Sequence, residues 1–237
     1  MRNEGMRTEA DRIEVHPHHG GDGVTQARAP RFGILLLAML AELTLAPFVI
    51  LATGTLTIAR WIGVILLLAA LSVAGSHRVA VVLFSGAAIF HFASMVSETT
   101  AVATAAEMFR LLFLGYVFGV IVWRVLRDRV VTFDTVAGAA CAYFLLGLVW
   151  GDLFLLVERW RPGSFAIPTG WLVGPGRDLR AALMYFSFST LTTLGYGDIH
   201  PTDPAAGALC AAEALIGQLY LAIMIARMVG LYASQRQ

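Results

Sequence analysis

The stretch Thr190–Asp198 reads TLTTLGYGD: threonines, a leucine and a glycine–tyrosine–glycine triplet, then an aspartate. These residue types offer little as nucleophiles or bases. What they offer is backbone. Gly195 and Gly197 can take positive φ, which a side-chain-bearing residue resists. Alternating them with Leu194 and Tyr196 lets consecutive carbonyls point the same way. A row of carbonyl oxygens facing one axis can replace the water around a dehydrated cation. The oxygens concerned are those of Thr193, Leu194, Gly195 and Tyr196, with the Thr193 hydroxyl below them. One chain supplies one row, so a closed ring needs several copies around the axis.

Such a row must be held by other elements, and the composition says in which solvent. Of the 237 residues, 58% are hydrophobic and 14% charged, against about 25% charged in a soluble domain. The shortfall points to lipid. The net charge of +1 gives no reason to expect nucleic acid. A span needs ~20 mostly apolar residues to cross the bilayer core. Six candidates run from Phe32 to Leu51, Leu56 to Gly75, Val79 to Val96, Ala101 to Trp123, Val131 to Val157 and Ala205 to Leu231. Arg60 in the second must reach back to the interface. The expected fold is therefore an all-α membrane protein with six transmembrane helices.

The basic residues are all arginine. With the N-terminus inside, inner segments hold Arg2, Arg7, Arg12, Arg28, Arg31, Arg78, Arg124, Arg127, Arg129, Arg227 and Arg236. Outer segments hold only Arg60, Arg159, Arg161, Arg177 and Arg180. The positive-inside rule then places both termini in the cytoplasm and Thr190–Asp198 on the outer side. Residues 1–31 read as a disordered cytoplasmic tail, in which Pro and Gly separate His16, His18 and His19 and work against a fixed metal site. No cleavable signal pattern is present. Residues 32–129 read as a four-helix transmembrane domain, and residues 130–237 as a pore domain.

Between the fifth and sixth spans, Glu158 to Asp178 is rich in Pro and Gly and reads as an exposed turret-like loop. Asp178 is a candidate N-cap for a helix from Leu179 to Leu191, too short to cross a membrane. A short helix followed by glycine-rich backbone reads as a re-entrant hairpin, since irregular backbone at membrane depth survives only inside protein or facing water. The C-terminal end of that helix carries a partial negative charge toward the bilayer centre, which would favour a cation there.

The string YFSFSTLTTLGYGDIHP, followed by a span with a central glycine, resembles the pore of bacterial six-transmembrane members of the potassium channel family. The resemblance covers Val131 to the C-terminus; the first four spans match only in number and placement. It implies a homotetramer in the cell inner (plasma) membrane that passes K+ without a cofactor. Thr193, Leu194, Gly195, Tyr196 and Gly197 would form the selectivity filter, with Thr192 supporting it and Asp198 at the outer mouth. The family's hinge glycine falls on Gly217, and Gln218, Leu221 and Ile225 would line the cavity below. Two departures stand out. Leu194 replaces the commonest valine, and Tyr185 and Phe186 stand where many members have two tryptophans. Tyr185 can still offer a hydroxyl to Asp198, whereas Phe186 cannot donate to Tyr196.

Other polar residues lie within the spans. Glu213 is expected to accept hydrogen bonds from Ser189 or Thr190 behind the filter, because an unpaired charge there would be costly. Glu107 and Arg110 share a helical face and read as a structural ion pair, joined by Glu42. His91 reads as a hydrogen-bonded interior residue. A voltage sensor would repeat arginine every third residue, but Arg110 stands alone in its span. One charge per subunit in four subunits supplies at most about 9 kcal/mol per 100 mV, so weak or no voltage dependence is expected. After the last span only YASQRQ remains, so gating is expected to act through the membrane part, the N-terminal tail or another protein. The alternatives are a non-selective cation channel or a non-conducting accessory or sensor protein of the same fold. An enzyme is not expected, because no nucleophile–base pair or two-His motif is found at membrane depth.

Overall fold

The structure, a computed structural model, describes residues 31–53, 57–74, 78–97, 99–171 and 179–235. The expectations for the His16–His19 tail, for Arg60 and for the Glu42 side chain fall outside the described part. Seven α-helices follow in order: α1 (Arg31–Thr53), α2 (Thr57–Ala74), α3 (Arg78–Val96), α4 (Thr100–Arg127), α5 (Phe133–Trp160), α6 (Leu179–Leu191) and α7 (Pro204–Ser234). Three of them, α4, α5 and α7, are long and apolar enough to cross a membrane, while α1–α3 carry shorter apolar stretches. The protein is thus a multi-pass, mostly helical membrane protein, with the short α6 lying between two of those long helices.

Local chemistry sets the helix ends. At the start of α5, Thr132 and Thr135 form a reciprocal capping box, each accepting the other's backbone N–H. α7 begins with Pro204, whose missing N–H is no loss in a first turn. The Asp203 carboxylate in front of it accepts the N–H groups of Ala205 at 2.8 Å and Ala206 at 3.0 Å. The last turn of α4 is closed from afar. Arg227 of α7 donates to the carbonyls of Val125, Leu126 and Asp128, at 3.2, 2.5 and 2.8 Å, where a cation also complements the helix dipole.

The core has two apolar clusters that share α5. One joins α5 to α1–α4 through Leu35, Phe113, Leu114, Ile121 and Leu145. The other joins α5 to α6, α7 and the loop after α5 through Phe154, Phe165, Leu183, Leu191 and Ile199. The boundary expected near residue 130 falls in the short connection between α4 and α5. It separates stretches of chain that both pack on α5, not two independent cores.

Charge also ties the two sides together. Arg110 of α4 is 5% exposed and makes a two-pronged contact through Nε and a terminal nitrogen with Asp152 of α5, which is 0% exposed. Arg180 of α6 lies 4.0 Å from the same carboxylate. Glu107 stands 3.8 Å from Arg110, as its spacing predicts, and 3.7 Å from Arg159. Asp152, absent from the expected ion pair, is its principal acid.

The loop after α5 differs from an exposed turret. Phe165–Ala166 (β1) pairs antiparallel with His200–Pro201 (β2), and Ser164 and Phe165 are buried. The Glu158 carboxylate accepts the N–H groups of Gly163 at 2.7 Å and Phe165 at 3.0 Å. A 3-10 turn, Thr169–Trp171, follows. This two-residue ladder is the one departure from an all-α fold among the described residues. It fixes the chain that leaves Asp198 to the end of α5.

Candidate functional site

The site is built from α6, the segment Thr192–Asp198 after it, and α7. Seating α6 depends on a groove in α5. A Cβ on Gly147 would lie 2.6 Å from the Phe188 ring, and one on Gly151 would lie 2.5 Å from the Met184 sulfur. Two glycines one turn apart thus receive two side chains of α6 one turn apart, the small-residue packing that brings membrane helices close. On its other side α6 meets α7. Ser187 contacts Glu213, and a Cβ on Gly217 would lie 2.8 Å from the Leu191 carbonyl oxygen. The two contacts are one turn apart on each helix and run in the same direction. Gly217 therefore marks the closest crossing of α6 and α7, a packing reason for glycine there that the sequence alone does not reveal.

The last four carbonyls of a helix have no partner within it. In α6 all four are used. Phe188 O accepts the Thr192 N–H at 3.1 Å, Ser189 O the Gly195 N–H at 3.2 Å and Thr190 O the Thr193 N–H at 3.0 Å. Leu191 O accepts the Tyr143 hydroxyl of α5 at 3.1 Å. The segment after α6 hangs from the helix by its amides, and its register is fixed. These bonds also engage the carbonyls that were expected to favour a cation at the bilayer centre.

The amides are thereby turned inward, and the carbonyls are left over. Thr193, Gly195 and Gly197 have φ of 60°, 57° and 78°, while Leu194 and Tyr196 between them do not. Successive carbonyls of a regular strand point to opposite sides; alternating the sign of φ brings them to one side. No hydrogen bond among the described residues reaches the carbonyls of Thr193, Leu194, Gly195 or Tyr196. The segment is exposed in the single chain, with Leu194 at 54% and Tyr196 at 69%. The glycines take the positive φ expected of them. Thr193 does so too, which the sequence does not signal, because a β-branched residue is an outlier there.

Asp198 ends the segment. The Tyr185 hydroxyl donates to its carboxylate at 3.3 Å, as the sequence suggests. Trp171 stacks on the Tyr185 ring at 4.7 Å, a contact from the loop after α5 that sequence reasoning missed. Phe186 faces the other way, into the cluster of Phe154 and Phe165. The next residue, Ile199, is buried, so the chain is anchored on both sides of Asp198.

Behind the segment, Glu213 is 0% exposed, and its hydrogen-bond partner is Ser187 at 2.5 Å. The expected donors, Ser189 and Thr190, lie on other faces of α6; Ser187 faces α7 because it is one turn above Leu191. Lower on α7, Gln218 and Ile225 are exposed and Leu221 is half-buried. Tyr220 stacks on Tyr143 at 5.8 Å and donates to Ala139 O at 2.7 Å, fastening α7 to α5. His91 is half-buried, edge-on to Phe92.

Outside the helices, Asp203 has a shifted protonation equilibrium. The N–H of Ala206 holds its carboxyl below the usual carboxylate range, helped by the N–H of Ala205 and the charge of Arg161.

Residues 179–233 match the family model described as ion channel. The matched stretch begins with α6, includes the segment Thr192–Asp198 and extends through most of α7. No curated protein and no solved structure matches the chain. The match supports an ion channel domain at this end of a multi-pass membrane protein, with passive ion passage as its activity.

Proposed function

We propose that the chain is one subunit of a potassium-selective channel whose filter is Thr193, Leu194, Gly195, Tyr196 and Gly197. The observation that carries this reading is the alternating sign of φ along an exposed segment whose carbonyls have no partner among the described residues. Four such rows around an axis would hold dehydrated K+ by the carbonyls of Thr193, Leu194, Gly195 and Tyr196. K+ is the cargo, and no cofactor is required. Thr192 supports the row from below and Asp198, held by Tyr185, marks the outer mouth.

The homotetramer is supported by α7, whose described buried residues are only Ala206, Glu213, Gly217 and Met224. Its other faces, with Leu215, Leu219 and Ile223 exposed, are left for lipid, for the pore and for neighbouring subunits. Gln218, Leu221 and Ile225 would line the cavity, and α7 would bend at Gly217, at its crossing with α6. In this reading α1–α5 and α7 make six spans in the cell inner (plasma) membrane, with both termini cytoplasmic. Opening is only weakly voltage-dependent, because Arg110 is tied to Asp152 of α5.

Reconstitution in lipid tests the assignment. Under opposed potassium and sodium gradients the reversal potential should follow potassium. A reversal potential near zero would leave a non-selective cation channel, and absence of any conductance would leave an accessory or sensor protein.

A further inference from the structure

Ser187 Oγ lies 2.8 Å from the carbonyl oxygen of Gly147 on α5 and 2.5 Å from Glu213 Oε1 on α7. A serine hydroxyl has one proton, and a carbonyl can only accept. Both contacts are hydrogen bonds only if Ser187 donates to Gly147 and Glu213, as the neutral acid, donates to Ser187. The second carboxyl oxygen of Glu213 is buried and has no partner among the described residues. Among the described residues no arginine or histidine pairs with this side chain. The titratable groups facing it are Tyr143 from α5 and Cys210 from α7. The Tyr143 hydroxyl is already given to Leu191, and the charged Arg180 of α6 is directed to Asp152. An ionised Glu213 would thus combine a buried charge, an empty acceptor and an oxygen–oxygen contact at 2.8 Å with no proton in it. A neutral Glu213 leaves only one carbonyl-type oxygen unfilled.

We infer that Glu213 is a positioning residue that carries a proton in the folded protein, and that the chain Glu213–Ser187–Gly147 is a proton-dependent strut setting α6 between α5 and α7. One turn further on, the same two helices meet at Leu191 and Gly217, and Thr192 to Gly197 follow directly. The strut therefore sits one helical turn from the proposed filter. Losing the proton at alkaline pH places an unpaired charge between α6 and α7 and loosens their contact. Conduction then falls as pH rises. That last consequence rests on the channel reading; the protonation itself does not.

Infrared spectroscopy of the full-length protein in lipid tests the inference whether or not it conducts. At neutral pH, wild type minus Glu213→Gln should show the carbonyl band of a protonated carboxylic acid. Ser187→Ala should move that band toward the frequency of a free acid. Alkaline titration of the wild type should exchange it reversibly for carboxylate bands, a measurement that needs no variant to fold. If the difference spectrum shows carboxylate bands at neutral pH, or the wild type lacks the acid band, the inference is overturned. Where conduction is recorded, its decline with rising pH should disappear in Glu213→Gln, whose amide can still donate to Ser187. An unchanged decline would remove Glu213 as the pH-responsive group.

Discussion

Gly217 shows how a residue legible in sequence can have a second reason to be what it is. Its distance from the GYG triplet is where the family resemblance expects a bending point, but its place against the Leu191 carbonyl is set by packing that no spacing rule contains. Gly217→Ala is expected to destabilise the protein by about 1–3 kcal/mol, because backbone cannot move aside as a flexible side chain does. It should also alter ion selectivity, since Leu191 immediately precedes Thr192. Thermal unfolding and permeability ratios check both; a variant with changed opening but intact stability and selectivity would make Gly217 a hinge only. Tyr185→Phe removes one hydroxyl from Asp198, a loss of about 0.5–1.5 kcal/mol. Single-channel recording should show altered open lifetimes with ion preference retained, and Asp198→Asn should add little to the effect in the double variant. Asp203 has a depressed pKa in the fold. The unfolded carboxyl therefore binds its proton at higher pH, and the stability from this cap, full above the ordinary carboxylate range, is lost as pH falls through it. Asp203→Asn should flatten that acid-side loss in a pH series of unfolding temperatures.

At the scale of elements, hydropathy placed six helices to within a few residues, three of them long and apolar enough to cross a membrane, because length and apolar content are properties of one segment. What joins the helices was not readable. Asp152 lies 42 positions from Arg110 in the chain, and only packing of α4 on α5 brings the two together. Glu107, three positions away, was the partner that sequence could offer, and it is the more distant one. Ser187 rather than Ser189 faces Glu213 because the seam of α6 against α7 depends on how α6 is rotated, which the Gly147 and Gly151 groove decides. The loop after α5 read as an exposed turret because it is rich in Pro and Gly, yet one glutamate and a two-residue ladder organise its start. Breaking the buried pair should be costly: Asp152→Asn leaves Arg110 without its main acid and is expected to destabilise the fold by about 3–5 kcal/mol. Replacing Arg110 and Asp152 together by apolar residues of similar size should recover most of that loss. Unfolding temperatures in detergent check this; equal damage from the single and double changes would mean that the pair is not the link between α4 and α5.

For the whole molecule, the candidate site was the most legible part, because it is written in consecutive residues whose backbone needs dictate their types. The positive φ of Gly195 and Gly197 follows from glycine itself. That of Thr193 does not, and comes from amides tethered to the end of α6. Assembly was legible only as a need for further rows. Among the described residues the carbonyls find no partner and α7 is mostly uncovered, so four copies are expected. Native mass measurement in detergent should give a tetramer, and only monomers and dimers would count against it. The central claim is that selectivity resides in backbone geometry. Beyond its two chain neighbours, a Cβ on Gly195 would meet no atom of the described residues within 4 Å, so Gly195→Ala acts through its φ of 57° and not through a clash with them. The most direct measurement is the potassium-to-sodium permeability ratio of the wild type and of Gly195→Ala in planar bilayers. A strong preference for potassium is expected in the wild type and its loss in the variant; a wild type without preference, or a variant that keeps it in full, would rule out selectivity by this backbone geometry.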